Sequence, residues 1–185
     1  HHEDDGQAGR PDLAGNLLVT AGDGTTTQRT APVQIGVETT WSKVTGGGSH
    51  SLATKTDGTL WAWGTNSSFQ LGDGTTTARA APVQIGTAAD WADVAAGSLH
   101  SIARKTNGTL WSWGNNGNGQ LGDGTASSRF TPAQSGTAAN WIDIAAGGSH
   151  SLGLRSDGTL WAWGLNANGQ VGDGTVLQRT KPVQI

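Results

Sequence analysis

Ser149, His150, Ser151 and Asp157 lie within GGSHSLGLRSDGTLWAWG, residues 147 to 164. These are the residue types of nucleophilic acyl transfer: a hydroxyl to attack, an imidazole to take its proton and a carboxylate to orient the ring. That chemistry needs a single constellation with an oxyanion hole beside it. Here the pattern recurs instead. His50, His100 and His150 are spaced by 50 residues, each followed by serine, while the aspartate becomes Asn107 in the middle copy. A side chain that returns at a fixed phase answers a structural demand that returns at that phase. The three histidines are therefore expected to be buried at junctions between repeated units and hydrogen bonded to backbone groups. No catalytic residue is assigned.

A second candidate is GDGT, which begins at Gly22, Gly72, Gly122 and Gly172. The loop NNGNGQLGDGT, residues 115 to 125, carries several oxygen ligands but lacks the alternating acids and terminal bidentate glutamate of a calcium loop. Asp23, Asp73, Asp123 and Asp173 are read as turn residues, and neither a metal nor another cofactor is expected. Arg79, Arg129 and Arg179 follow in step and are expected to pair with a neighbouring unit.

The elements that position these residues follow from the repeat. Trp41, Trp91 and Trp141, then Trp61, Trp111 and Trp161, then Trp63, Trp113 and Trp163 all keep the 50-residue spacing without insertion or deletion. This divides the chain into a tail or tag remnant (1–15), a partial repeat (16–35) and three complete repeats (36–85, 86–135 and 136–185). Within each unit HSLATK or HSIARK alternates in polarity, TDGT or TNGT supplies a turn, and TLWAWG places both tryptophans on one face. PVQI reads as a fourth short strand with proline at its start. No segment shows a capped 3.6-residue pattern, so almost no helix is expected. The prediction is an all-β chain of β-propeller blades of about four strands each, three full repeats plus a partial one, forming an open arc unless another chain completes it.

Composition is consistent with this reading and excludes several functions. Tyr, Met and Cys are absent and Phe occurs twice, so the nine Trp must supply the bulky core. Without cysteine there is no disulfide framework or thiolate metal site. A net charge of -3 with scattered cations provides no footprint for nucleic acid, and no apolar run is long enough for membrane insertion as a helix. The start, with His1 and no methionine, implies a processed protein, a tag remnant or an excerpt.

The elements G-x-x-H-S-L, D-G-T-L-W-x-W-G-x-N and G-Q-L-G recur in order three times over residues 36 to 185. In this the chain resembles the regulator of chromosome condensation repeat family, in the compact form of bacterial propellers. The resemblance implies a propeller usually of seven blades with a protein-binding surface. Its members include an exchange factor for the small GTPase Ran, an ultraviolet-B photoreceptor and a secreted β-lactamase inhibitor. Ser98 and Gly148 stand where the photoreceptor motif has its light-absorbing tryptophan, which speaks against photoreception.

Recognition is expected where the repeats differ, since fixed positions build the scaffold. Two stretches differ, the loop after WAWG and the residues after GDGT. They nominate Ser67, Ser68, Phe69, Asn116, Asn118, Asn166, Asn168, Val176 and Leu177 as binding residues. Leu17, Leu18 and Val19 replace a polar loop with apolar residues and are expected to form an oligomer seam. The expected function is a non-enzymatic module for protein–protein interaction with an unidentified partner, self-associating as a dimer to complete the ring, outside the cytoplasm or in the cell envelope. The alternatives are a carbohydrate-binding propeller using exposed tryptophan, a structural or engineered repeat fragment, and an exchange-factor-like regulator.

Overall fold

The structure, a computed structural model, describes residues 21–185. Twelve strands form three four-stranded antiparallel sheets, and no helix occurs among the described residues. The first sheet contains β1 (Trp41–Gly46), β2 (His50–Lys55), β3 (Leu60–Gly64) and β4 (Arg79–Gln84). The second contains β5 (Trp91–Ala96), β6 (His100–Lys105), β7 (Leu110–Gly114) and β8 (Arg129–Gln134). The third contains β9 (Trp141–Ala146), β10 (His150–Arg155), β11 (Leu160–Gly164) and β12 (Arg179–Gln184). Each is a simple meander, as expected of a blade.

The turn between the second and third strands shows why Asp57 and Asn107 interchange. Asp57 Oδ1 accepts from Thr59 N (2.9 Å) and Thr59 Oγ1 (2.7 Å), and Asn107 Oδ1 does the same with Thr109 (3.1 and 2.7 Å). Only an acceptor oxygen is required, and both side chains provide one. The threonine hydroxyl in turn accepts the indole N–H two residues on, at 2.9 Å for Trp61 and 3.0 Å for Trp111. The proline expectation needs correction: the fourth strand begins at Arg79, and Pro82 sits inside it. That strand is the outer edge of the sheet, where a missing N–H leaves no ladder bond unmade.

The core lies between the sheets. One cluster joins Leu52, Leu60 and Leu71 of the first repeat to Trp91, Val94 and Trp113 of the second. Another joins Ile102 and Leu110 to Trp141, Ile144 and Trp163. First strands of consecutive blades contact each other, so β1, β5 and β9 line the inner side of the arc. In the middle blade Ser112 and Ser135 replace Ala62 and Ile85, and their hydroxyls bond at 2.6 Å, so two buried polar groups satisfy one another.

The arc has two open ends. Val94 and Ile144 are buried against the preceding blade, whereas their counterpart Val44 is 73% exposed. Leu60 and Leu110 are fully buried against the following blade, whereas Leu160 is 41% exposed. Part of the first face is already covered. Gly22 stands so close to Trp63 that a Cβ there would meet its Nε1 at 2.5 Å, and Gly72 and Gly122 lie likewise against Trp113 and Trp163. Gly24 N also donates to Ala80 O, as Gly74 N does to Phe130 O and Gly124 N to Thr180 O. Residues from 21 onward therefore occupy the place of a preceding blade's loop.

Candidate interaction surface

The recurring histidines do not converge on a pocket. Each faces the next blade: His50 Nε2 lies 2.9 Å from Ser101 Oγ, and His100 Nε2 lies 2.9 Å from Ser151 Oγ. The partner is a side chain, which corrects the expectation of a backbone group, although the backbone closes the relay. Ser101 Oγ donates to Gln70 O (2.7 Å) and Ser151 Oγ to Gln120 O (2.9 Å). A hydroxyl has one proton, so each serine must accept from the histidine, which fixes the Nε2–H tautomer. Gln70 O also takes Trp113 Nε1–H (2.9 Å), and Gln120 O takes Trp163 Nε1–H (2.9 Å), tying imidazole, hydroxyl and indole of adjacent blades to one carbonyl.

Burial pushes His50 down to about 4 and His100 to about 3, so both rings are neutral near pH 7. His150, with no blade beyond it, is only half-buried and less constrained. Glycine at 47, 97 and 147 lets the ring lie on the backbone, since a Cβ there would come within 2.5, 2.1 and 2.1 Å of the ring's Cε1. Asp157 lies beyond the far end of β10 from His150, roughly 16 Å along the strand, and holds its own turn through Thr159. The serine, histidine and aspartate of the opening motif therefore do not form a triad.

The GDGT loops are turns, as read. Asp73 Oδ1 accepts from Thr75 N (3.0 Å) and Thr75 Oγ1 (2.7 Å). The arginines behave otherwise than expected: Arg79, Arg129 and Arg179 pair with Asp73, Asp123 and Asp173 of their own repeat, at 2.7, 2.7 and 2.6 Å. The tight turn brings residues six apart together, so no neighbouring unit is needed. The Thr175 hydroxyl bond, opposed by partial desolvation and reinforced by Arg179, holds Asp173 at about 2.

The nominated binding residues separate into two groups. Asn116 and Asn166 are fully buried and are withdrawn from the recognition surface. Asn116 Nδ2 donates to Thr125 O and Ser127 O (both 3.1 Å), while its Oδ1 accepts from Leu121 N (3.0 Å). Asn166 repeats this with Thr175 O, Leu177 O and Val171 N. These amides staple the two variable stretches together, so what looks like two loops in sequence is one surface. On that surface Ser67 and Asn168 are exposed, Ser68 and Asn118 half-buried, and Val176 and Leu177 are 64% and 62% exposed. Leu17, Leu18 and Val19 lie outside the described residues.

Phe69 is half-buried, with its ring centroid 3.8 Å from that of Phe130 on the next blade. It therefore serves as an inter-blade contact more than as a free anchor. Its φ is +64°, the left-handed region occupied by Gly119 and Gly169 at the same phase. That conformation costs an L-residue about 1–2 kcal/mol, offset by burial of the ring pair. Phe69→Gly alone is expected to destabilise by about 1 kcal/mol. In a Phe130→Thr background, which recreates the Gly119 and Thr180 pair of the next junction, the same change should instead stabilise; urea unfolding of the four-member cycle reads the reversal.

The sequence pattern described as the regulator of chromosome condensation (RCC1) repeat matches residues 57–104, 107–154 and 157–185, and a second RCC1 pattern matches 41–70, 91–120 and 141–170. No curated protein sequence matches. Among solved structures, human WBSCR16 is similar at 25% identity and a TM-score of 0.70, covering 78% of this chain and 37% of its own. Prp20p from Saccharomyces cerevisiae, described with its binding properties to Gsp1p and histones, shares 22% identity at a TM-score of 0.72, covering 78% of this chain and 38% of its own. Yeast RCC1 (Prp20) in its Kap60-bound structure superposes with a TM-score of 0.71 at 22% identity. The chain thus spans well under half the length of these relatives. On the match of its three repeats, the chain belongs to the regulator of chromosome condensation (RCC1) repeat family.

Proposed function

We propose that the chain is a non-enzymatic propeller module that binds a protein partner through its stapled loop surface, and that its open blade faces are completed by a second copy. The observation that carries self-association is the translational match of the two ends. Val44 and Leu160 are exposed at the termini of the arc, while the residues at their phase are buried at both inner junctions. A face built to be covered by the same repeat is complementary to another copy by construction. His150 would then find the hydroxyl of Ser51 in the partner copy, as His50 finds Ser101. A copy docking there carries its own GDGT loop, which takes the place of Gly22 against Trp63.

Protein binding is supported by the family and by relatives such as Prp20p, with its binding properties to Gsp1p and histones. The carbohydrate alternative has little to stack on, because each of the nine tryptophans is buried or half-buried. Light scattering at micromolar concentration should give twice the 18.9 kDa chain mass. Val44→Asp and Leu160→Asp should each weaken the assembly, and mixing the two variants should restore one intact junction. A monomer at every concentration would end the self-association reading.

A further inference from the structure

In every blade a cation lies over a pair of tryptophan rings, yet its neutralisation differs. Lys55 Nζ stands 3.7 Å from the Trp61 ring centroid and pairs with Glu38. Lys105 Nζ stands 4.8 and 4.5 Å from Trp91 and Trp111 and pairs with Asp90 at 2.9 Å. In the third blade the cation is Arg155, 4.4 and 3.9 Å from Trp141 and Trp161. At the phase of Asp90 stands Asn140, and at the phase of Glu38 stands Ala138, so neither carboxylate is supplied. Among the described residues no acceptor is bonded to the Arg155 guanidinium, and its buried Nε is unpartnered.

Beside this cation is a groove of about 380 Å³, lined among others by Trp141, Arg155, Lys181, Ser135 and Asp123. Lys181 replaces Ala81 and Thr131 and adds a second positive charge. Asp123 is already paired with Arg129 at 2.7 Å, and Asp157, the other carboxylate near Arg155, is held by its own turn. The groove therefore combines an excess of positive charge with an unused planar fork of donors, the geometry that binds a carboxylate in bidentate fashion.

We infer that the groove at the junction of the second and third blades is a binding site for a carboxylate from outside the chain, an acidic side chain of a peptide partner. The molecule itself illustrates the chemistry, because Glu38 and Asp90 fill the equivalent role in the other two blades. Rings of Trp141 and Trp161 shield the guanidinium partly from solvent, which strengthens its attraction for an anion. The inference rests on the protein-binding reading only for the source of the carboxylate.

The test is calorimetric titration at low ionic strength with an N-acetylated tetraglutamate amide, its tetraglutamine counterpart and inorganic phosphate. Saturable binding of the acidic peptide, with one site per chain, is expected, and tetraglutamine and phosphate should bind far more weakly. Asn140→Asp installs the second blade's own carboxylate and should keep the fold. It is expected to weaken the acidic peptide at least about tenfold, equivalent to about 1.4 kcal/mol. No binding by the acidic peptide, equal binding by tetraglutamine or phosphate, or equal affinity in Asn140→Asp would each overturn the inference. Light scattering of Asn140→Asp should match the unsubstituted chain, so self-association stands or falls separately.

Discussion

Replacing Trp113 with alanine is expected to lower the free energy of unfolding by about 3–5 kcal/mol, the range for emptying a tryptophan site in a packed core. The indole is fully buried, and its N–H is bonded to Gln70 O of the preceding blade. Its ring tilts against Trp91 at 6.4 Å, and Gly72 packs directly on its edge. Alanine removes all of this from the junction of the first two blades and leaves a cavity between two rigid sheets that cannot collapse into it. With a total stability of roughly 5–15 kcal/mol for a domain, the loss is enough to populate the unfolded chain in mild denaturant. Trp61→Ala is the control. That indole is half-buried and its contacts with Thr59, Lys55 and Trp41 stay within its own repeat, so its removal should cost distinctly less. Chemical denaturation followed by circular dichroism reads both; equal and small losses would refute the assignment of Trp113 to the joint.

The second large effect is acid lability. His50 and His100 are neutral in the folded chain because burial holds them near 4 and 3, below the ordinary 6.5. Below about pH 6.5 the unfolded chain takes up protons that the folded chain refuses, so stability falls as the pH falls. It is fully present above pH 6.5 and declines through that value down to about 4 for His50 and about 3 for His100. Each ring contributes on the order of 3 kcal/mol across its window. The carboxylates act later. Asp73, Asp123 and Asp173 are held below their usual 3.8, so their contribution disappears only as the pH drops beneath that value. Urea midpoints measured from pH 7.5 to pH 3 should therefore slope downward on the acid side of about 6.5. The double substitution His50→Gln with His100→Gln should flatten that limb while leaving the steeper loss below pH 4.

The blades were legible because the chain writes the same unit three times. Alternation in HSLATK, the glycine turn of TDGT and the fixed phase of tryptophan each specify a strand or its end, and none depends on distant residues. The joints were less legible. His50 meets Ser101 only because consecutive sheets stack in phase, a relation of 51 residues that local pattern cannot express. The serine after every histidine is the available signal, because it recurs at the phase where the preceding blade's imidazole arrives. Arg79 was assigned across a junction when a six-residue turn returns it to Asp73. Asn116 and Asn166 were nominated for binding although they, with Asn66, never vary between repeats. Constancy marked them as scaffold, and their buried amides confirm it. Arg155 carries no signal of its own in the sequence, because its meaning lies in Asn140 standing where the second repeat has Asp90.

Nitrogen-15 spectroscopy of the imidazole side chains tests most directly whether the repeated polar residues are joints between blades. His50 and His100 should appear as the neutral Nε2–H tautomer and remain so from pH 7.5 to pH 5. Three repeated histidines titrating together near 6.5, in fast exchange between tautomers, would mean that the rings face solvent and that the blades are not joined through them.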